Sequence, residues 1–170
     1  VVRYGEGLYI GYRWFNARHL EPAVPFGHGL SYASFEWGTP NVNGAQSTDL
    51  SSSIVVEVDV TNTSERSGTE VVQLYIAPPK STLHRPPIEL KGYAKLALQP
   101  GETKTASITL NFRSFAYFDP GDQFYNTLDA NSPVPRETGF RRTEPGWYAE
   151  PGVYGLVVAR SATNHHAVIQ

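Results

Sequence analysis

Hydrophobic and polar residues alternate strictly along "SIVVEVDVTN", residues 53–62. Ile54, Val56, Val58 and Val60 share one face, and Val55, Glu57, Asp59 and Thr61 share the other. A period of two is the pattern of a strand with one buried side. "TSERSG", 63–68, reads as a polar turn, after which "TEVVQLYIA", 69–77, lines up Val72, Leu74 and Ile76. Pro78 and Pro79 end that run, since neither can donate to a ladder. In "IELKGYAKLALQPGE", Tyr93, Lys95 and Ala97 alternate with Ala94, Leu96 and Leu98. Gln99-Pro100-Gly101-Glu102 then offers Pro and Gly at the central positions of a type II turn. "TKTASITLN", 103–111, sets Ala106, Ile108 and Leu110 in line. Glu150-Pro151-Gly152-Val153 repeats the turn chemistry and starts "GVYGLVVARS", where Tyr154, Leu156 and Val158 face one way.

Short strands of this spacing, with Pro-Gly turns and no helical period between residues 54 and 162, predict an antiparallel β-sandwich. Two stretches depart from the pattern. Residues 117–148 are rich in Asp, Asn, Pro and Gly and exceed an ordinary sandwich connection. The first 35 residues gather aromatics among glycines and charges, with room for one short strand near Leu8 to Arg13. Leu8, Tyr9, Ile10, Tyr12, Trp14 and Phe15 would form an exposed apolar patch if this arm stood alone, so it is expected to dock on a body. That body is either the sandwich or a neighbour.

Composition narrows the chemistry. The 170 residues include no cysteine, which rules out disulfides, thiolate metal sites and cysteine nucleophiles. The formal net charge is -2 and the densest basic point is Arg141-Arg142, too little for a phosphate-tracking surface. Nucleic acid is therefore not an expected partner. No apolar run approaches the ~20 residues that cross a bilayer, so no membrane is expected either. The chain also lacks methionine, which leads us to expect a processed product or a piece of a longer polypeptide.

"YGEGLYIGYRWFN" followed by "PAVPFGHGLSYASFEW" resembles the junction in family 3 glycoside hydrolases, where an α/β sandwich domain ends and a fibronectin type III-like domain begins. The resemblance continues through "VEVDVTNTSERSGTEVVQLYIAPP", "RPPIELKGYAKLALQPGE", "FAYFD" and "PGVYGLVVARSA", with small departures at Ser64 and Ala33. It covers nearly the whole chain apart from residues 120–145. What it implies is an all-β, immunoglobulin/fibronectin type III-like antiparallel β-sandwich with an extended N-terminal arm. Residues 1–35 would be the tail of the preceding domain plus linker, and 36–170 the fibronectin type III-like domain with a long loop at about 119–147. The whole enzyme would be β-glucosidase-like, hydrolysing β-glucosides with retention, and secreted. The remainder of the enzyme, a barrel and an α/β sandwich domain, would be this chain's partner in cis or as a separate chain. Its catalytic carboxylates would lie upstream, so no catalytic residue, metal ligand or cofactor is assigned here.

The candidate residues each have a bland alternative. Retaining glycoside hydrolysis needs two carboxyls about 5 to 5.5 Å apart, and no acid pair here sits in a recognisable frame. Glu6, in a Gly-Glu-Gly frame, belongs by position to the junction motif; Glu57 and Asp59 share the polar face of a strand. His28 lies between Gly27 and Gly29, which are expected to serve a close chain crossing rather than acid–base chemistry. His165-His166 lack a third ligand at a credible spacing. Glu70 and Arg85 invite an ion pair that Lys91 could join, against the alternative that all three are ordinary surface ions worth ~0–1 kcal/mol. Trp14, Trp37 and Trp147 are read as core or contact residues, Trp147 in the core before its turn. The competing reading, a carbohydrate-binding module holding glucan, would use these indoles to stack on sugars. Phe124, Tyr125, Phe140 and Arg141-Arg142 give the long loop adhesive chemistry, and Asn62-Thr63-Ser64 is an N-glycosylation acceptor sequon.

Overall fold

The computed structural model describes residues 7–44, 52–79, 85–121 and 144–169. Among these residues ten strands and two short helices follow one another: α1 (Tyr12–Ala17), β1 (Phe35–Trp37), β2 (Asn41–Asn43), β3 (Ile54–Asn62), β4 (Gly68–Ala77), β5 (Glu89–Leu98), β6 (Thr103–Leu110), α2 (Phe112–Phe115), β7 (Tyr117–Asp119), β8 (Gly146–Tyr148), β9 (Gly155–Ala159) and β10 (His165–Ile169). One sheet has β3 at its centre, with β6 on one side and β1 and then β2 on the other. The second runs β10-β9-β4-β5, and β7 and β8 form a separate two-stranded ribbon. Every described pairing is antiparallel.

The alternation in the sequence sets the core. Val56, Val58 and Val60 of β3 and Ala106, Ile108 and Leu110 of β6 point inward from one sheet. They meet Val72, Leu74 and Ile76 of β4, Leu98 of β5 and Leu156 and Val158 of β9 from the other. Each Val, Leu and Ile among them contributes roughly 1.5–3 kcal/mol by leaving water. The β3–β6 register runs from Ile54↔Leu110 to Thr61↔Thr103 without a break. A one-residue slip would turn all of these residues outward.

The turn at Gln99–Glu102 forms as read: Glu102 N–H donates to the Gln99 carbonyl at 3.0 Å, with Gly101 at φ 72. The second Pro-Gly site differs. Gly152 has φ 147, outside type II geometry, and β9 opens only at Gly155.

Two further sequence expectations need correction, and the sequon residue takes a buried place. The arm holds a helix, α1, rather than a strand at Leu8 to Arg13. Gly11 at φ 58 breaks the extended chain, and an isolated strand there would have had no ladder partner. Trp147 is not a core residue; it is 41% exposed, on β8, whereas Trp37 is only 7% exposed. Finally, the sequon residue Asn62 is 0% exposed. Its Nδ2 donates to the carbonyls of Arg66 and Leu98, at 2.7 and 3.2 Å, and its Oδ1 accepts from Ser64 N–H and Oγ–H. In the folded chain this nitrogen is a buried donor rather than an exposed glycan acceptor. The loop residues Phe124, Tyr125, Phe140 and Arg141-Arg142, and Glu6, lie outside the described residues.

Candidate docking interface of the N-terminal arm

Glu57 and Asp59, on β3, take part in side-chain hydrogen bonds across their sheet. Glu57 accepts from Asn43 Nδ2 at 2.8 Å, and Asp59 accepts from Thr105 Oγ1 at 2.6 Å. No group of three His, Asp or Glu able to hold a metal occurs among the described residues. His165 and His166 direct their Nε2 atoms to different carbonyls, those of Ala162 at 3.2 Å and Gly38 at 2.8 Å. His28 is exposed, and its N–H closes a turn on Pro25 O at 3.0 Å.

The organised feature is the arm. It lies on the outer face of the β10-β9-β4-β5 sheet, where Tyr75, Ile88, Val157, Ala159 and Ala162 form a second cluster joined by Tyr12 and Leu90. Helix α1 turns Tyr12 and Asn16, one turn apart, toward this face. Tyr12 stacks on Phe26 with ring centroids 5.0 Å apart and meets Tyr75 edge-on at 5.7 Å. Its hydroxyl accepts from Leu90 N–H at 2.9 Å, and Asn16 Nδ2 donates to Ala162 O at 3.3 Å. Ala162 N–H donates in turn to Phe26 O at 2.9 Å.

Gln73 centres the contact. Its Nε2 donates to Gly27 O at 3.1 Å and to Arg160 O at 2.7 Å, and its Oε1 accepts from the Tyr75 hydroxyl at 2.6 Å. Gln73 and Tyr75 are both buried, so every one of these bonds replaces water that cannot enter. Burial, with Tyr12 nearby, pushes the Tyr75 phenol well above its ordinary range. It therefore stays a proton donor. Gly27 has φ 82, and a Cβ there would fall 2.2 Å from Gln73 Nε2. The expected close crossing is thus made by Gly27; Gly29 has open space around it and an ordinary φ.

The anticipated Glu70–Arg85 pair does not form. Glu70 pairs instead with Arg160 at 3.0 Å, and Arg85 and Lys91 both pair with Glu89, at 3.2 and 2.9 Å. Glu70 sits at the start of β4, while Arg85 precedes β5 at the far end of that pairing. The register shift between Leu74 and Tyr75 leaves Lys91 as the extra residue of a bulge, able to reach Glu89. Arg13, from α1, approaches the same carboxylate at 3.9 Å. Burial would raise the Glu89 carboxyl, but the Lys91 hydrogen bond and the charges of Lys91 and Arg85 outweigh it and hold the group below its usual range.

The arm's other side stays bare. Leu8, Ile10, Trp14, Leu20 and Val24 are exposed, and Leu30 and Tyr32 are 94% and 92% so. Each tryptophan carries an arginine over its ring: Arg18 on Trp14 at 4.6 Å, Arg160 on Trp37 at 4.4 Å and Arg113 on Trp147 at 4.1 Å. Phe118 also meets Trp147 edge-to-face at 5.5 Å. No single residue type announced Gln73 or Glu89 beforehand. A polar residue on the period-two pattern of an otherwise apolar strand was the one available signal, and only for Gln73.

Residues 70–162 match the family described as "Fibronectin type III-like domain". A β-glucosidase from Rhizobium radiobacter is 39% identical over 99% of this chain, and an exo-α-(1→6)-L-arabinopyranosidase from Bifidobacterium breve is 36% identical over 95% of it. The chain spans 18% of the length of each. The crystal structure of a Bifidobacterium adolescentis GH3 β-glucosidase superimposes with a TM-score of 0.75 at 33% identity, over 97% of this chain and 21% of that one.

Proposed function

Because this chain belongs to the fibronectin type III-like domain family and aligns nearly end to end with one segment of much longer β-glucosidases, we propose that it is their non-catalytic brace. In this reading residues 1–35 connect to a preceding domain and 36–170 form the brace, within a secreted enzyme that hydrolyses β-glucosides with retention. The observation that carries it is the two-faced arm. One side is fixed to the sandwich through Tyr12, Phe26 and Gly27, and the other presents Leu8, Ile10, Trp14 and Leu20 to whatever adjoins it. Several large apolar side chains left exposed on one short segment support a protein contact there. The match to an arabinopyranosidase as well as to β-glucosidases supports placing sugar choice outside this region.

The carbohydrate-binding alternative is less well supported. Sugar stacking needs an open aromatic face; Trp37 is buried, and a guanidinium over Trp14 and over Trp147 leaves each indole at most one face for a sugar. An assay separates the two readings. The pure chain should release no nitrophenol from an aryl β-glucoside and should not be retained on immobilised glucan. Turnover by the chain alone would overturn the brace. Retention on glucan that is lost in Trp147→Ala would favour the alternative.

A further inference from the structure

Glu89 is outnumbered. Arg13 from α1, Arg85 from the segment before β5 and Lys91 from the β5 bulge all surround this one carboxylate, with side chains 31%, 4% and 17% exposed against 13% for Glu89. Arg85 also lies against the Tyr154 phenol and, at 5.5 Å, over the Tyr117 ring. Three cations thus converge on one carboxylate, in a chain whose overall charge is -2. The guanidinium of Arg85 is also incompletely satisfied. Its Nη atoms donate to Glu89 and, at 3.4 Å, to Phe115 O, but its buried Nε has no hydrogen-bond partner. A surplus of positive charge is costly out of water, and an orphaned guanidinium donor adds to that cost. An oxyanion at the rim formed by Arg13 and Lys91 would relieve the excess.

We propose that this notch receives a carboxylate side chain from the body that the exposed side of the arm abuts. The inference rests on the brace reading and adds the partner's chemistry: an acidic residue set among apolar ones. Arg13 opens the notch to solvent on the arm, because its side chain is 31% exposed and it stands on α1 beside exposed Trp14. Carboxylates and guanidinium or ammonium groups make charge-assisted hydrogen bonds stronger than neutral ones, which gives such a contact register as well as attraction.

The probe is acetate, titrated into the ¹⁵N-labelled chain at constant ionic strength with chloride as balance. The Arg85 Nε–H signal and the Lys91 amide should shift saturably in the millimolar range, and the shifts should be lost in Arg13→Gln and in Lys91→Met. Both substitutions lie at the rim and leave Arg85 in place. Equal responses to acetate and chloride, or an unsaturable drift spread over the surface, would overturn the notch. The same titration on the polypeptide extended upstream tests the source. If a neighbour's carboxylate occupies the notch, the Arg85 signal is already shifted and acetate no longer moves it; continued acetate binding there would overturn an interdomain source. Whether Ile10 and Trp14 become protected in the extended polypeptide is read separately and judges the brace itself.

Discussion

Gln73 and Gly27 approach more closely than any side chain on the glycine would allow. The carboxamide donates to the Gly27 carbonyl at 3.1 Å, and a Cβ would lie 2.2 Å from its Nε2. That contact, with the Tyr75 and Arg160 bonds behind it, decides where the arm rests.

Gly27→Ala should therefore free the arm before it unfolds the sandwich. The alanine must adopt φ near 82 and displace a buried amide, leaving donors unsatisfied, at a cost of about 1–3 kcal/mol. Limited proteolysis should cut the variant between residues 18 and 34 faster than the parent, while cleavage within β3 and β4 stays unchanged. Equal rates in the arm would show that Gln73 does not hold it.

Asn62 ties the end of β3 to the Leu98 carbonyl of β5 and to the following turn. Asn62→Leu should lose about 2–3 kcal/mol in urea unfolding, because it strands the Leu98 carbonyl out of water. Made in a glycosylating host, the parent chain should show no glycan at Asn62 by peptide mass. Full occupancy there in folded protein would contradict the burial.

Acid should act through Glu89. Its carboxyl is held below the usual value in the folded state, so on acidification the unfolded chain takes up the proton first. The stabilisation is complete above the ordinary glutamate pKa and is lost as pH falls through the lowered folded value. Glu89→Gln should be less stable at neutral pH and show a shallower acid limb. An acid limb identical to the parent's would assign that slope to other groups.

Arg160 joins the sheets at one end, pairing with Glu70 of β4, donating to Phe35 O of β1 at 3.0 Å and covering Trp37. Arg160→Lys keeps the charge but loses the planar fork, and should cost ~1 kcal/mol given the partial exposure of the pair. A double-mutant cycle with Glu70→Gln measures the coupling; zero coupling would leave Arg160 as packing alone.

The sandwich was legible because Val56, Val58, Val60 and their counterparts on β4, β6 and β9 obey one period that only a half-buried strand satisfies. The resemblance located the arm, but not its shape. α1 is only six residues long, and it depends on Gly11 and on Tyr12 finding Tyr75, a residue far along the chain. The Glu70–Arg85 pairing fails for the same reason. Sequence places Glu70 and Arg85 within reach of β4 and β5, but the antiparallel register sets them at opposite ends and hands Glu70 to Arg160, just past the end of β9. Trp147 and Asn62 show the complement. A large indole before a Pro-Gly pair looks like core and a sequon looks like surface, yet ribbon pairing exposes the first and a buried carbonyl claims the second.

Hydrogen exchange on the arm tests the central claim most directly, comparing this chain with the same chain preceded by the upstream part of its polypeptide. The brace account predicts that Leu8, Ile10, Trp14 and Leu20 gain protection only in the longer form, while Gln73 and Tyr75 are protected in both. Unchanged exchange at those four arm positions would contradict it.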